Sequence, residues 1–438
     1  MEEFKSRRIN LAAQLPNNSI AILNSAQTKI RNGDVEFAFR QNSDFYYLTG
    51  FREPEAVMVL IKDKESKVKY ILFNRANNPD AEIWNGKRAG QYGACKDYAA
   101  DESFDIATIE TVMPTLIENK TAIYTSIGTN KCFEKRIANW LKIVKQKVYK
   151  STGSAPDRII DLLPLIHEMR LFKSPQEIEF MRKAAEISAA AHLKLMQVCK
   201  PGLMEYQLEA VFNEHCLQNG CRGLAYNSIV AGGENACILH YTENDQPLKD
   251  GDLVLVDAGG EFNYYAADIT RTFPVSGKFS FEQRQIYALV LQAQLAGIEQ
   301  VRPGNVWDSV QEVMVKIIID GLLELGILRG EASQLIKENA HRKFYMHGSG
   351  HWLGLDVHDA GSYKHSTGKE KEGWRKFEAG MVLTVEPGIY IAHNSGVDQK
   401  WLGIGIRIED DVLVTKSGNE VLSKHAPKSI DEIERARI

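Results

Sequence analysis

Short apolar runs separated by turns dominate the first third of the chain. Four of these runs have the length and the β-branched or aromatic content of strands: SIAILNS, AVMVLIKD, VKYILFN and TAIYTS, starting at residues 19, 56, 68 and 121. NKCFEKRIANWLKIVKQ, at residues 130–146, has the 3.6-residue periodicity of an amphipathic helix. This alternation predicts an α/β N-terminal domain.

A helix start at Ser174 predicts the boundary to a second domain. Ser174 can cap the helix, Pro175 suits its first position, and Glu177 completes a capping box before the amphipathic run IEFMRKAAEISAAAHLKLMQ. The preceding DLLPLIHEMRLFKS is interpreted as a connecting segment. We therefore predict domains at residues 1–173 and 174–438.

The second domain alternates helical and strand-like segments. Helices are predicted from near Met204 to Gly220, from Phe281 to Gln300 and from Trp307 to Leu325. Strand-like runs lie around them, namely LVLVDAG, AADITRTFPV, MVLTVEPGIYIA and GIGIRIEDDVLVT. Helix pairs with strand groups predict an α+β domain in which helices cover a curved sheet.

Composition narrows the class of protein. A chain of 438 residues with 44% hydrophobic and 25% charged residues is typical of a globular protein of two or three domains. A net charge of −4 argues against a general nucleic-acid binder, which needs a concentrated basic surface. No apolar stretch approaches the roughly 18 residues that span a bilayer, so we expect no membrane association.

The cysteines and the N-terminus favour a cytoplasmic location. The six cysteines form no CxxC motif and show no regular spacing, which is typical of reduced thiols rather than of a disulfide framework. The first twenty residues mix charged and apolar side chains and have no signal-peptide core.

Five side chains in the last two-fifths of the chain are candidate metal ligands. Each lies in a strongly patterned segment, and they are Asp257, Asp268, His351, Glu386 and Glu409. Four carboxylates and one imidazole suit hard or borderline divalent cations. Without cations, four carboxylates in one buried site would repel one another and lose their hydration. Two neighbouring divalent ions can activate a water molecule for hydrolysis.

The local patterns around the acids leave some alternatives open. Asp257 and Asp268 are eleven residues apart, so a strand, a turn and a returning strand can bring them together. Asp257 alone would be interpreted as the start of a turn. It becomes a candidate metal ligand only because the four other candidate ligands are also present. Glu386 follows an apolar run and is expected to be buried, where a metal ion would be its partner.

The segment around Glu409 predicts a strand. Glu409 is expected to lie on one strand with Ile406 and Ile408, while Asp410 and Asp411 are interpreted as turn or surface acids. Arg407 lies two residues before Glu409 and therefore on the same strand face. We expect Arg407 to pair with Asp257 and with Tyr390, the alternative being an ordinary surface arginine.

Three histidines near Glu386 have helical spacing in a segment unsuited to a helix. His347, His351 and His358 would share one helix face, but Gly348, Gly350 and Gly354 argue against a regular helix. As a candidate site residue we rank His347 below His351 and His358, and we expect it to lie behind the metal ligands. For His240, in ILHYTEN, the pattern alone makes a structural role at least as plausible as catalysis. Trp84 is by default a core or interface aromatic.

The segments together resemble a known family. The five metal segments follow QNSDFYYLTGF, WNGKRAG and NSIVAGGENACILHYTEN in order, and in this the chain resembles the pita-bread metallopeptidases, specifically the Xaa-Pro aminopeptidase (aminopeptidase P) family. The resemblance covers most of the chain. It implies an N-terminal domain like those of creatinase and aminopeptidase P, and a C-terminal pita-bread domain with a curved, mainly antiparallel sheet covered by helices.

The resemblance also implies roles for the metal ligands. Asp257 would chelate one ion, Asp268 and Glu409 would bridge two, and His351 would be the imidazole ligand. Glu386 would bind a metal and accept the proton of the attacking water. The implied cofactors are two divalent ions, most naturally Mn²⁺, with Co²⁺ or Zn²⁺ as alternatives.

Substrate contacts are implied in the same way. His240 and His358 would stabilise the tetrahedral intermediate and, with Arg407, complete the catalytic set. His347, Tyr390 and Trp84 would contact substrate, with Trp84 reaching the site of a neighbouring subunit. The implied substrates are peptides with proline in the second position, and the implied assembly is a homodimer or homotetramer.

Two alternative functions remain at this point. A prolidase uses the same kind of metal centre but accepts only Xaa-Pro dipeptides. A non-catalytic binding protein would keep the pita-bread scaffold for contacts with other macromolecules, although all five ligand positions are intact here.

Overall fold

The computed structural model describes residues 1–149, 151–364 and 373–437. The chain divides into two compact units, Met1–Met169 and Arg170–Ile438. The boundary predicted before Ser174 thus lies just inside the second unit. Among the residues that the structure describes, no helix is both long and apolar enough to cross a bilayer.

The first unit is built on a six-stranded mixed sheet in the order β6–β5–β4–β1–β7–β8. Its strands are β1 (Ser19–Asn24), β2 (Ile30–Asn32), β3 (Val35–Glu36), β4 (Val57–Lys62), β5 (Val68–Asn74), β6 (Glu102–Asp105), β7 (Ala122–Thr125) and β8 (Arg158–Asp161). Strands β2 and β3 form a separate hairpin. The four strands predicted from apolar runs are therefore confirmed.

Helices pack against this sheet because packing buries their apolar faces. They are α1 (Glu2–Gln14), α2 (Ser43–Thr49), α3 (Pro79–Asn85), α4 (Gly90–Tyr98), α5 (Ile109–Ile117) and α6 (Lys131–Val148). Helix α6 confirms the predicted amphipathic helix, and it buries Phe133, Ile137 and Trp140 in one cluster with Ile20 and Ile22 of β1. The segment interpreted as a connection contains a further helix, α7 (Leu163–Leu171).

The second unit contains the long helices that the sequence predicts. They are α8 (Pro175–Val198), α9 (Glu205–Gln218), α10 (Phe281–Gln300) and α11 (Trp307–Glu324), followed by the shorter α12 (Ala332–Lys337) and α13 (Ile430–Ala436). The capping box of α8 is present, since Ser174 Oγ accepts from the Glu177 N–H and the Glu177 carboxylate accepts from the Ser174 N–H.

Antiparallel strands form the sheets of the second unit. They are β9 (Gly223–Leu224), β10 (Ile229–Gly232), β11 (Leu253–Asp257), β12 (Gly260–Phe262), β13 (Tyr265–Ala266), β14 (Thr270–Pro274), β15 (Val382–Val385), β16 (Gly388–Ile391), β17 (Ile404–Arg407), β18 (Asp410–Val414) and β19 (Asn419–Val421). Strand β11 pairs with β10 and β14, β15 pairs with β18, and β16 pairs with β17. Helices α8 to α11 share a large apolar core with these strands.

Two neighbouring ladders break at the same place. Strands β15 and β16 are separated by Glu386 and Pro387, and the paired strands β18 and β17 are separated by Ile408 and Glu409. Pro387 has no N–H to donate to a ladder. The prediction that Glu409 lies on a continuous strand is therefore wrong: the break frees Glu386 and Glu409 from regular pairing at one spot.

The interpretation of Asp410 and Asp411 as turn or surface acids is also wrong. Both lie on β18 and are at most 1% exposed. Asp410 forms a buried ion pair with Arg271, at 2.7 Å. The carboxylate of Asp411 accepts from the N–H of Asp268, at 3.2 Å and 3.3 Å. Local alternation could not reveal these partners, because they lie far away in the sequence.

Candidate metal centre

Three of the five predicted ligands converge on one point. One ligand atom from each of Asp268, His351 and Glu409 lies within 4.8 Å of the other two. Asp268 precedes β14, Glu409 lies in the ladder break, and His351 lies in an irregular segment, as its flanking glycines predict. The three side chains come from distant parts of the sequence and form the centre of the site.

Glu386 adjoins this group. Its Oε1 lies 3.7 Å from Nε2 of His351, and His351 Nε2 lies 3.3 Å from Oδ2 of Asp268. Gly350 makes this approach possible, because a Cβ at that position would lie 2.0 Å from the carbonyl oxygen of Thr384. The N–H of His351 accordingly donates to Thr384 Oγ1 at 3.0 Å.

Asp257 ends strand β11 on the other side of the group. The hydroxyl of Tyr226 lies 2.6 Å from Oδ1 of both Asp257 and Asp268. Arg407 donates from Nη2 to Oδ2 of Asp257 at 2.5 Å and from Nη1 to the hydroxyl of Tyr390 at 3.0 Å. Arg407 thus makes both of the contacts expected of it.

Burial, followed by the charges of neighbouring acids, raises the pKa of three of these carboxyl groups. Burial, followed by the charge of Asp257, raises the pKa of Asp268. Burial and the charge of Asp268 raise the pKa of Glu386 to about 7. Burial, followed by the charges of Asp268 and Glu386, raises the pKa of Glu409 well above its usual range. Bound divalent cations would offset this repulsion, so the donor set fits metal ions.

His351 presents one nitrogen to the acids. Its Nδ1 lies 3.0 Å from the carbonyl oxygen of Trp352, which assigns the proton to Nδ1 and leaves Nε2 facing Asp268. Burial alone would lower the pKa of His351, but the hydrogen bond and charge of Asp268 raise it to about 9. An imidazole oriented by a backbone carbonyl is the usual arrangement of a metal-binding histidine.

The acids and three further histidines line one cavity of about 350 Å³. Its walls include every predicted metal ligand together with Arg407, His240, His347 and His358. His240 and His358 are exposed, and the His358 ring centroid lies 4.3 Å from that of His351. Imidazoles at this position can reach a molecule bound beside the acids.

His347 is part of this wall, and Tyr390 lies buried behind it. Nε2 of His347 lies 2.8 Å from the hydroxyl of Tyr390, and the Tyr390 side chain is only 2% exposed. Burial and the charge of Arg407 lower the pKa of His347 to about 4, so this imidazole is neutral near pH 7. Trp84 belongs to the other unit, where it lies on α3 and is 85% exposed.

Sequence reasoning missed Tyr226, Thr270 and Asp411. Tyr226 directly precedes NSIVAGG, and Thr270 follows Asp268 by two residues. Thr270 Oγ1 donates to Glu409 Oε2 at 2.6 Å and accepts from Arg407 Nε at 3.1 Å. Proximity to a candidate ligand was the one available signal, and tyrosine and threonine are too common in strands for it to suffice.

We expect Thr270→Val to lower the affinity for divalent metal about 10- to 100-fold, the usual cost of removing a hydrogen-bond partner of a metal ligand. The substitution keeps the shape of the side chain but leaves Glu409 and Arg407 without their shared hydroxyl. Isothermal titration of the metal-free protein with Mn²⁺ measures the change. Thr415→Val, which removes a hydroxyl from a turn outside the site, is the control. Equal metal affinity of both variants would contradict a role for Thr270.

Comparison with known proteins follows the same division of the chain. The model of metallopeptidase family M24 matches residues 179–416, and that of the aminopeptidase P N-terminal domain matches residues 4–124. The chain is 47% identical to the Xaa-Pro aminopeptidase of Haemophilus influenzae over 99% of this chain and 96% of that protein. It is 46% identical to that of Escherichia coli over 99% of this chain and 97% of that protein.

Solved structures agree with these relatives. Aminopeptidase PepP of Pseudomonas aeruginosa superimposes with a TM-score of 0.96 at 49% identity, covering 100% of this chain and 97% of that one. Aminopeptidase P of E. coli with the inhibitor Pro-Leu gives 0.95 at 45% identity, covering 100% and 98%. The predicted pita-bread architecture is thereby confirmed, and the chain belongs to metallopeptidase family M24.

Proposed function

We propose that this chain is an Xaa-Pro aminopeptidase, a metal-dependent hydrolase that releases the N-terminal residue from peptides with proline in the second position. The main support is the single cavity of about 350 Å³ on which four buried or half-buried carboxylates and one oriented imidazole converge. The Xaa-Pro aminopeptidases that match nearly the whole chain give the specificity.

Two divalent ions are proposed for this site, with Mn²⁺ ahead of Co²⁺ and Zn²⁺. A zinc-substituted form of the E. coli aminopeptidase P has been solved with product, which supports a site that tolerates more than one metal. Asp257, Asp268, His351, Glu386 and Glu409 would hold the ions. When bound, such ions lower the pKa of water toward neutrality and polarise the substrate carbonyl.

Glu386 is proposed as the general base. Its carboxylate faces the cavity and is only part-buried, so it can accept the proton of the attacking water and deliver it to the departing proline nitrogen. Thr384 Oγ1 lies 3.4 Å from its Oε1 and limits its rotation.

His240 and His358 are proposed to stabilise the developing oxyanion. Both are exposed toward the cavity, where their N–H groups can donate to an oxygen as it gains charge. Arg407 holds Asp257 at 2.5 Å, so its proposed part in catalysis is to keep that carboxylate in place. His347 and, from a neighbouring subunit, Trp84 are proposed as substrate contacts. Tyr390 was predicted to contact substrate as well, but it is buried with its hydroxyl 2.8 Å from Nε2 of His347, so it is proposed to act by orienting His347.

The substrate proposal is tested by comparing two peptides with the same first residue. We expect the purified, Mn²⁺-loaded protein to release the first residue from an Xaa-Pro-Yaa tripeptide, and to act far more slowly on the dipeptide Xaa-Pro. Substituting alanine for the proline should abolish turnover. Activity restricted to the dipeptide would assign the prolidase reaction instead, and no hydrolysis of any Xaa-Pro peptide would favour a binding protein.

Domain roles, assembly and location complete the proposal. Residues 1–173 would form the creatinase- and aminopeptidase P-like domain and residues 174–438 the catalytic one. We propose a homodimer or homotetramer, for which the exposed indole of Trp84 offers a contact surface. Six free cysteines fit the reducing cytoplasm.

A further inference from the structure

Helix α9 ends in a turn that carries two cysteines. The N–H of Cys221 donates to the carbonyl of Cys216 at 3.0 Å, and that of Gly220 to Leu217 at 3.3 Å. Gly220 has φ 96°, the left-handed conformation that favours glycine at this position. These features define a Schellman motif, in which the side chains of the first and last residues contact each other. Here both residues are cysteines.

The two thiols meet at one point. Cys216 and Cys221 are each 1% exposed, and their side chains are hydrogen-bonded to each other. A Cβ added to Gly260 would lie 2.8 Å from the sulfur of Cys221 and 3.3 Å from that of Cys216. A turn closed in this way also brings the two α-carbons close enough for a disulfide, which spans about 4.4–6.8 Å between α-carbons.

Gly260 connects the thiols to the metal centre. It follows Asp257 by three residues, and its carbonyl accepts from the N–H of Ala267, at 3.1 Å, directly before Asp268. Its own N–H donates to Ser188 Oγ at 2.9 Å. The sulfurs therefore pack against the segment that joins the two metal-binding aspartates.

We propose that Cys216 and Cys221 are a redox modification site: a low-molecular-weight disulfide converts them to an intrachain disulfide, which lowers hydrolysis at the metal centre. The sulfur of Cys221 attacks one sulfur of the reagent and releases one thiol. The sulfur of Cys216 then attacks the mixed disulfide at Cys221 and releases the second thiol. The protein loses two hydrogens and the reagent gains them, so the exchange is balanced and reversible.

Local geometry favours this order of attack. The hydrogen bond to Cys216 lowers the pKa of the Cys221 thiol, and the thiolate is the nucleophile. The residues around the pair, 217–220 and 222–223, are exposed, so opening this helix end requires only local unfolding.

Bond formation changes the support of the metal site. The sulfur–sulfur distance shortens to about 2.05 Å, which changes how the two sulfurs pack against Gly260. We expect a movement of the Asp257–Asp268 segment, because an interior responds to small changes in volume. Misplacing a catalytic group by about 1 Å costs up to about 100-fold in rate, so activity should fall about 10- to 100-fold.

The test uses full-length, metal-loaded protein carrying Cys199→Ser. In this background the tryptic peptide of residues 195–222 contains only Cys216 and Cys221. After oxidised glutathione and alkylation, we expect this peptide to be unalkylated and 2 Da lighter than the reduced, unalkylated peptide, and dithiothreitol to restore both thiols and activity. A further Cys221→Ser substitution should leave basal activity unchanged and abolish the sensitivity.

Each outcome decides one part of the proposal. Alkylation of both cysteines, or a stable glutathione adduct on one, would overturn the disulfide. A complete disulfide with unchanged activity and unchanged Mn²⁺-dependent melting temperature would overturn the link to the metal centre. The effect of the disulfide on hydrolysis rests on the proposed function, whereas disulfide formation itself is measured by the peptide mass. If the protein showed no peptidase activity, the peptide mass would still show whether the disulfide forms.

Discussion

Glu386→Gln is expected to lower kcat for an Xaa-Pro-Yaa tripeptide about 100- to 10,000-fold, the usual contribution of a general base. The amide keeps the size of the side chain and can still approach His351 and Thr384, which lie 3.7 Å and 3.4 Å from Oε1. It cannot accept the proton of the attacking water. Steady-state kinetics with saturating Mn²⁺ measure the effect.

A matched control separates this loss from a general effect of charge. Glu378→Gln makes the same chemical change on an exposed residue of the same region, and it should leave kcat within about twofold, as surface changes usually have small effects. Metal content of the Glu386 variant must be measured in parallel, because Glu386 is also a proposed ligand. Turnover equal to wild type with two bound ions would exclude Glu386 as the base.

Asp410→Ala is expected to lower the free energy of unfolding of the second unit by about 3–5 kcal/mol, the cost of leaving a buried partner charge uncompensated. Asp410 is fully buried and pairs with Arg271, which is also fully buried. Its carboxylate accepts at 2.6–2.8 Å from four side chains, those of Arg271, Gln294, Ser423 and Lys428. Urea denaturation of the metal-free protein measures the change.

The pH dependence of this loss has a definite sign. Burial alone would raise the pKa of Asp410, but Arg271 and Lys428 hold it below its usual range. The stabilisation is therefore present above the unfolded pKa of about 3.9 and is lost as pH falls toward the folded value. The control Asp431→Ala removes an ion pair with Arg284, and the side chain of Asp431 is 72% exposed. This substitution should lower the free energy of unfolding by at most about 1 kcal/mol. Equal costs for both variants would contradict the account of Asp410.

Local sequence patterns predicted most elements of the fold. Helix α8 was predicted from its capping box and helix α10 at its observed bounds, because their signals lie within a few neighbouring residues. The apolar runs of the first unit likewise predicted β1, β4, β5 and β7. The break between β17 and β18 was not predicted, since it lies opposite Pro387, which separates the partner strands β15 and β16.

The metal site was predicted by a different route. Hard donors in five patterned segments, and their resemblance to a family, predicted which side chains line the cavity. The remaining contacts of the site join residues that are distant in the sequence. The carboxylate of Asp411 accepts a hydrogen bond from the N–H of Asp268, and the hydroxyl of Thr270 links Glu409 to Arg407. These partners lie more than 130 residues apart in the sequence, so no local pattern connects them.

Anomalous diffraction at the manganese edge, from crystals grown with Mn²⁺, tests directly whether the five candidate ligands hold two metal ions. We expect two anomalous peaks a few ångströms apart, about 3.5–4 Å in two-metal hydrolases, with Asp268 and Glu409 contacting both ions. Asp257, His351 and Glu386 should each contact at least one ion. Peaks elsewhere on the chain, or no ion among these five side chains at saturating Mn²⁺, would rule out the proposed metal centre.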